Sequence, residues 1–555
     1  MRSARMIFPI LFLLGAWPAL LLGALQALAQ TPPSPPSPLF GEEIEVRVVN
    51  VEVVVTDRQG NRVPDLKPSD FRLLVDGKET PIEYFTEVRG GLAVAPTADG
   101  EAPVVPGLAS FAPGSPVGTS YLVFVDDFFS LGPQRNTVLR TLQEDLGRLG
   151  PEDRMAIVAY DGRDLAMLSS WSSSQRDLSR AFQQAMDRPT QGIDRLADLR
   201  TFESFHRTSA GSVGPRSPLV ATLTFEERDF ARRLSEQIQQ VVSAAANTLR
   251  GFASPPGRKV LLLLSGGWPY RVADYVVNDP SRTIMTREVP EGQELLRPLT
   301  QTANLLGYTL YSVDVPGVEG VLGADAENQG PGSTSFNLRE QEIHDTLDFV
   351  ARETGGQAFL GGRRGKALEL AESDTRSYYW LGFTPNRQRN DARHAMRVEV
   401  RRPGLAVRSR DSFLDLSRQA EVSMMVESAM LFGSFPGAAP MKMQVGPPVK
   451  SGRREMVVPI TLQIPMDAFE VVHMEGRYVA RLELRVAATD EKGGRSPIPV
   501  IPIDLAGDKP PAPGSVFRYE TRLTLRRAPH HLVVALFDPI SGKITTAEAD
   551  VKPGK

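Results

Sequence analysis

Three short runs place oxygen-bearing side chains directly after apolar segments, the arrangement needed to hold a ligand at the end of a sheet. Asp126, Asp127 and Ser130 follow Tyr121–Val125, Ser265-Gly266-Gly267-Trp268 follows Val260–Leu264, and Asp314 lies near the end of Tyr308–Val315. In an open α/β sheet, ligands bind beyond the carboxyl ends of the strands. Carboxylates and hydroxyls gathered there could present oxygens to a cation or to a polar partner. Phe128 and Phe129 in the first loop are candidates for an apolar contact surface, with burial against the following helix as the alternative.

Catalytic chemistries are poorly represented. Ser265 follows an apolar run as a nucleophile would, but G-x-S-x-G needs glycine where Leu263 stands. The six histidines, His206, His344, His394, His473, His530 and His531, form no H-E-x-x-H, and no G-x-x-x-x-G-K-[ST] phosphate loop occurs. No catalytic residue is assigned, and a serine hydrolase is the weakest of the readings. Arg393, Arg397, Arg401, Arg402, Arg408 and Arg410 make one basic segment, expected to be a solvated strand face with Glu399 as a partner rather than a polyanion site. Tyr378-Tyr379-Trp380 alternates across a strand and reads as core packing.

The elements that must position these residues follow from periodicity. Continuous apolar runs at Tyr121–Val125, Met155–Ala159, Val260–Leu264 and Tyr308–Val315 predict buried strands. Between them, Val138, Leu139, Leu142 and Leu146 share one helical face, and Phe230, Leu234, Ile238, Val241, Val242, Ala245 and Leu249 form a longer stripe. That stripe opens on the capping box Thr224-x-x-Glu227. A helix through Ile343, Leu347 and Val350 stops at Gly355-Gly356. Strands alternating with helices predict an α/β domain with a doubly wound parallel sheet over 119–376, and the polar stretch Pro189–Pro218 is expected to be loop-rich. On either side the period becomes two. Residues 43–90, with strands at Ile44–Val48, Val51–Val55 and Phe71–Val75, form a β unit too small to stand alone, expected to be completed by 377–413, a β extension running to 415. Residues 91–118 read as a linker, and 416–555 as an Ig-like β-sandwich.

YLVFVDDFFS, KVLLLLSGG, YTLYSVDVPG and FVARETGGQAFL...SYYWLGFTP, taken in order, resemble the von Willebrand factor A domain of the exported VWFA-related proteins typical of Acidobacteria. VNVEVVVTDRQGNRVPDLKPSDFRLLVDGK resembles the segment preceding that domain. The resemblance spans about Glu43–Phe413 and implies an α/β fold carrying a metal-ion-dependent adhesion site. There, an Asp-x-Ser-x-Ser loop, a Thr and a further Asp bind Mg²⁺ and leave a position for an acidic partner residue. On that pattern Asp126 and Ser130 match metal ligands, Phe128 replaces the middle Ser, Ser265 stands where the third-loop Asp would be, and Thr190 is the candidate Thr. The implied site is degenerate, and Mg²⁺ is an optional cofactor. The expectation is a non-enzymatic adhesion-type protein that binds an unidentified protein or envelope component through Asp126–Ser130 and Ser265–Trp268. The alternative is an architectural envelope protein.

Composition bounds these readings. The chain has 555 residues, 41% of them hydrophobic, and 63 Lys+Arg against 66 Asp+Glu leave a net charge of −3, which provides no global drive toward nucleic acid. It has no cysteine, so disulfides, thiolate metal sites and thiol nucleophiles are excluded. Residues 1–29 read as a secretory leader, with Arg2 and Arg5, an apolar Met6–Leu25 and Ala27-Leu28-Ala29 before Gln30. A Pro-rich linker over 30–42 follows. A periplasmic or extracellular protein with no membrane span after cleavage is expected; an uncleaved leader would instead be an anchor.

Overall fold

The computed structural model describes residues 49–94, 114–210, 223–252, 257–278, 289–315, 333–385, 390–415, 417, 420, 423, 439–474, 476–490, 499–541 and 543–553. The leader, the Pro-rich linker, the strand expected at Ile44–Val48, and most of the 91–118 linker lie outside them.

Along the chain, β1 (Val49–Thr56), β2 (Phe71–Val75), β3 (Lys78–Thr80), β4 (Tyr84–Arg89) and β5 (Leu92–Ala93) precede an alternating region. That region comprises β6 (Thr119–Asp126), α1 (Gly132–Glu144), β7 (Arg154–Tyr160), β8 (Leu165–Ser172), α2 (Gln175–Asp187), α3 (Gly192–Ala210) and α4 (Phe225–Gly251). It continues through β9 (Arg258–Ser265), α5 (Val272–Val277), α6 (Gly292–Leu306), β10 (Tyr308–Asp314), α7 (Ser333–Glu353), β11 (Ala358–Phe359) and α8 (Ala367–Thr375). The protein is thus mixed α/β. One sheet, ordered β11-β10-β9-β6-β7-β8, is parallel except for β8 at its edge, and the other sheets are antiparallel apart from one two-residue strand.

The parallel strands are apolar on both faces because both faces are covered. Leu122, Phe124, Leu261, Leu263 and Leu310 pack under Ile238, Val241, Val242 and Leu249 of α4 and Leu347 and Val350 of α7. Val123, Val125, Leu262, Leu264 and Val313 face Val138, Leu139 and Leu142 of α1 and Leu178 and Phe182 of α2. The α4 capping box forms as read: Thr224 Oγ1 accepts from Glu227 N at 3.2 Å, and Glu227 Oε2 accepts from Thr224 N at 2.8 Å. The loop-rich expectation for Pro189–Pro218 is corrected over its described part, where α3 runs from Gly192 to Ala210. Its polar faces conceal a short seam: Leu196 and Leu199 pack with Phe202 and Phe230, the last two rings stacked at 4.5 Å.

After α8 come β12 (Tyr378–Phe383), β13 (Ala392–Val400), β14 (Ala406–Arg408) and β15 (Ser412–Asp415). They pair with the opening strands: β1 lies between β12 and β14, β4 pairs β12, and β2 pairs β13. Val51, Val53, Phe71, Leu73, Tyr379, Leu381, Phe383 and Val398 close one core between the two sheets. The small β unit is therefore built from both sides of the parallel sheet in sequence, and Tyr378 and Tyr379, each 3% exposed, are core residues.

Charged groups also cross between these parts. Glu52 of β1 faces Arg258 of β9 at 3.2 Å and accepts from Thr309 of β10 at 3.2 Å. The basic segment finds partners within the chain while Arg393, Arg397, Arg401 and Arg402 stay largely exposed, as a solvated strand face would. Arg393 meets Asp411, Arg397 meets Glu399, Arg401 meets Glu79, Arg402 meets Asp70, Arg408 meets Asp374, and Arg410 donates to the carbonyls of Asn304 and Asn50.

The C-terminal part contains β16 (Ala439–Pro440), β17 (Lys442–Val445), β18 (Val449–Ser451), β19 (Glu455–Pro465), β20 (Val472–Met474), β21 (Arg477–Asp490), β22 (Val500–Gly507), β23 (Val516–Arg526), β24 (His530–Phe537) and β25 (Ile544–Val551). Two sheets, one centred on β21 and β24 and the other on β19, enclose Val458, Ile460, Leu462, Leu482, Leu484, Leu532 and Val534.

Candidate functional site

The carboxyl ends of β6 and β9 bring Asp126–Ser130 and Ser265–Trp268 together, as their positions after parallel neighbouring strands require. Asp126 is fully buried, and both of its oxygens are engaged. Oδ1 accepts from the backbone N–H groups of Phe128 (3.1 Å) and Phe129 (3.0 Å), and Oδ2 accepts from Ser265 Oγ (2.6 Å) and Trp268 Nε1 (3.1 Å). Ser265 Oγ in turn accepts from Gly267 N at 3.0 Å. Gly267 has φ +85°, and a Cβ there would stand 1.9 Å from Ile343 Cγ2, so the turn that aims its N–H at Ser265 needs glycine on both counts.

Asp127 points to a different set of partners. Its carboxylate, fully buried, receives Arg135 of α1 and Arg188 of the segment after α2, the latter at 2.8 Å. Arg135 also donates to the carbonyls of Met186 (3.0 Å) and Arg188 (2.9 Å). The backbone of the next loop joins the first, with Gln191 N donating to Asp127 O at 2.9 Å. Thr190 lies near the start of α1, its Oγ1 3.5 Å from where a Gly132 Cβ would be. Ser130 Oγ is buried and has no hydrogen-bond partner among the described residues. Arg195 of α3 lies over the Phe129 ring at 3.7 Å, close enough for its charge to act on Asp126.

Of the two alternatives for the strand-end residues, an exposed contact surface or burial, the structure has burial for all but one. Asp126, Asp127, Phe129, Ser130, Ser265, Gly266, Gly267 and Trp268 are buried, and Phe128 alone keeps partial exposure. Phe128, Phe129 and Trp268, which all donate to Asp126, form an aromatic lid in which Phe129 packs edge-on against Phe128 (5.2 Å) and Trp268 (6.4 Å). Asp314, in register beside Ser265, is 7% exposed and paired with Arg364 at 3.0 Å.

Mg²⁺ takes about six oxygens in octahedral geometry. Here the hydrogen-bond directions of Asp126 are taken by four donors, Phe128 supplies a ring in place of a hydroxyl, Ser265 supplies a hydroxyl in place of a carboxylate, and two guanidinium groups hold Asp127. The residues present do not fit the ion, and no group of three His, Asp or Glu suited to a metal occurs among the described residues. Asp126 lies within hydrogen-bond reach of Ser265, and both side chains are fully buried.

Arg135 escaped the sequence reading although a signal was present. It lies three residues before Val138 and seven before Leu142, on the apolar face of α1, where a charge demands a buried acidic partner. Arg188 and Arg195 carried no comparable mark.

Burial pushes the Asp126 carboxyl up to about 6, against the opposing pull of Ser265, Phe129, Trp268 and Arg195. The folded chain then keeps this proton to about pH 6, while the unfolded chain releases it near 3.8. Between those values the folded state binds more protons, so Asp126 makes stability fall as pH rises, by on the order of 3 kcal/mol across the window. Asp126→Asn should lack that limb. Denaturant melts at pH 4 to 8 that change in parallel for the two proteins would contradict the assignment.

Outside the lid, Phe128, Asp161, Gly162, Gln191, Arg233 and Glu236 are among the residues lining a cleft of about 370 Å³ between the strand-end loops and α4. Gly162, at φ +95°, is the floor under Phe128: a Cβ there would be 2.4 Å from the ring.

No family model matches the chain, and no curated protein is similar to it. Among solved structures, the N-terminal domain of TFIIH p34 superposes at TM-score 0.20 and 10% identity over 46% of this chain and 97% of that one. The pilus adhesin SpaC from Lactobacillus rhamnosus GG gives 0.19 and 9% over 89% and 62%. A Bacteroides uniformis β-glucuronidase gives 0.15 and 10% over 32% of this chain and 19% of that one. Superpositions this loose carry no inference about fold family or activity.

Proposed function

We propose that the protein is an exported, non-enzymatic architectural component of the cell envelope, built on a von Willebrand factor A-type doubly wound domain inserted in a split β-sandwich and followed by an Ig-like sandwich. In this reading the strand end that binds metal in that family is an internal lock. One observation carries it: every hydrogen-bonding direction of the fully buried Asp126 carboxylate is occupied by a donor from its own chain. Two loops are thereby tied together without an ion, and an exported chain with no cysteine has few other local staples.

The test is thermal unfolding with millimolar Mg²⁺ against EDTA. The midpoint is expected to be the same in both; a rise of several degrees with Mg²⁺ would return the strand end to a metal-dependent adhesion role. One observation favours a second reading, in which the protein binds an envelope component beside the lock rather than through it: Phe128 keeps partial exposure and lines the 370 Å³ cleft. A component retained by the wild type and lost by Phe128→Ala would support that reading.

A further inference from the structure

The second C-terminal sheet ends in an unusually long edge. β23 pairs with β19 over all eleven of its residues, from Val516 opposite Pro465 to Arg526 opposite Glu455. Its other side pairs with no strand among the described residues. Such an edge offers a row of free N–H and C=O groups to another strand. Edges are commonly blunted by proline, bulges, brevity or charged side chains; β23 has no proline, its register with β19 is unbroken, it is about twice the usual strand length, and its charges, Arg518, Glu520, Arg522 and Arg526, are of both signs.

The side chains of β23 are self-complementary. One face carries Phe517, Tyr519, Thr521, Leu523 and Leu525, of which Tyr519, Leu523 and Leu525 pack on the C-terminal core while Phe517 is 36% exposed. The other face carries Arg518, Glu520, Arg522, Thr524 and Arg526, all exposed. A two-fold axis through Thr521 sets a second copy antiparallel with all eleven residues paired. Phe517 then opposes Leu525 and Tyr519 opposes Leu523, which extends the apolar face across the joint. Glu520 opposes Arg522 twice, once on each side of the axis, and Arg518 opposes Thr524. Moving the axis to residue 520 or 522 places Arg518 opposite Arg522 or Arg526, a repulsive pairing. The exposed Arg518–Glu520 contact within one chain, at 2.9 Å, is the weak kind that can be exchanged for cross-strand pairs.

We infer that β23 is a dimerisation edge, joining two copies of this chain into one continuous antiparallel sheet centred on Thr521. This does not depend on the role assigned to the strand-end lock, which lies in a different part of the fold.

The chain has no cysteine, so a single introduced thiol reports unambiguously. Residues directly opposed in an antiparallel pair have Cα atoms about 4.5 or 5.5 Å apart, within disulfide range. In the full chain, Thr521→Cys is expected to form a disulfide-linked dimer under glutathione oxidation, whereas Thr524→Cys, which faces Arg518 of the other copy, stays monomeric. By sedimentation velocity the wild type is expected to be dimeric. Glu520→Arg or Arg522→Glu alone should weaken the dimer at least tenfold, and the two together should restore it by recreating the opposed pairs. Both side chains are exposed, so the variants should melt at the midpoint that the wild type shows when diluted to a concentration at which it too is monomeric. A wild-type chain that is monomeric at high micromolar concentration, equal cross-linking of the two cysteine variants, or failure of the double swap to rescue would overturn the inference.

Discussion

Asp374→Ala should lower the unfolding free energy by about 3–5 kcal/mol, the cost of breaking a buried ion pair from one side. The Asp374 carboxylate is 3% exposed and accepts from Arg62, from Arg408 at 2.6 Å to both oxygens, from the Tyr311 hydroxyl, and from Gln357 at 3.3 Å. Arg62 and Arg408 belong to the split β unit, Tyr311 to β10 and Asp374 to α8, so one carboxylate braces the two parts. Burial alone would raise its pKa, but Arg408, Arg62 and Arg258 outweigh burial and hold the carboxyl below its ordinary 3.8. Its contribution is thus present above pH 3.8 and lost as pH falls through the lower folded value. Removing it leaves guanidinium groups facing one another with no counter-charge. Urea melts at pH 7 give the measurement, and a loss under about 1 kcal/mol would mean the arginines find other partners at little cost.

Asp127→Ala is expected to cost about 3 kcal/mol or more and to loosen the strand end locally, because Arg135, 1% exposed, would keep only neutral acceptors, Asn136 Oδ1 and the carbonyls of Met186 and Arg188, and no counter-charge. Faster amide exchange should be confined to Phe128–Leu131 and the Arg188–Gln191 segment, which Asp127 ties together. Adding Arg135→Met should recover most of the loss, since an apolar side chain of similar length needs no counter-charge. A double variant no more stable than Asp127→Ala would show that the loss comes from the loop backbone and not from a stranded charge.

These two carboxylates show where sequence reading succeeds and where it stops. The parallel strands were legible because burial on both faces leaves unbroken apolar runs such as Val260–Leu264, and α4 because its stripe and capping box repeat at helical spacing. The α3 helix was hidden because its apolar contact is a short seam in a polar stretch. At the site, sequence placed Asp126 and Ser265 at neighbouring strand ends, but their exposure depended on Phe129 and Trp268 folding over them and on arginines 8 and 61 residues from Asp127 reaching inward.

By itself, then, the sequence determined the periodic elements, the absence of thiol chemistry, and which side chains would meet at the ends of β6 and β9, because those properties depend on local spacing and composition. Only the tertiary structure decided that the meeting is a closed, self-satisfied hydrogen-bond cluster, and that Asp374 and Glu52 face guanidinium groups across the joint between the β unit and the parallel sheet. Whether a carboxylate is open to a ligand or saturated by its own chain depends on donors distant in sequence, whose approach is set by packing.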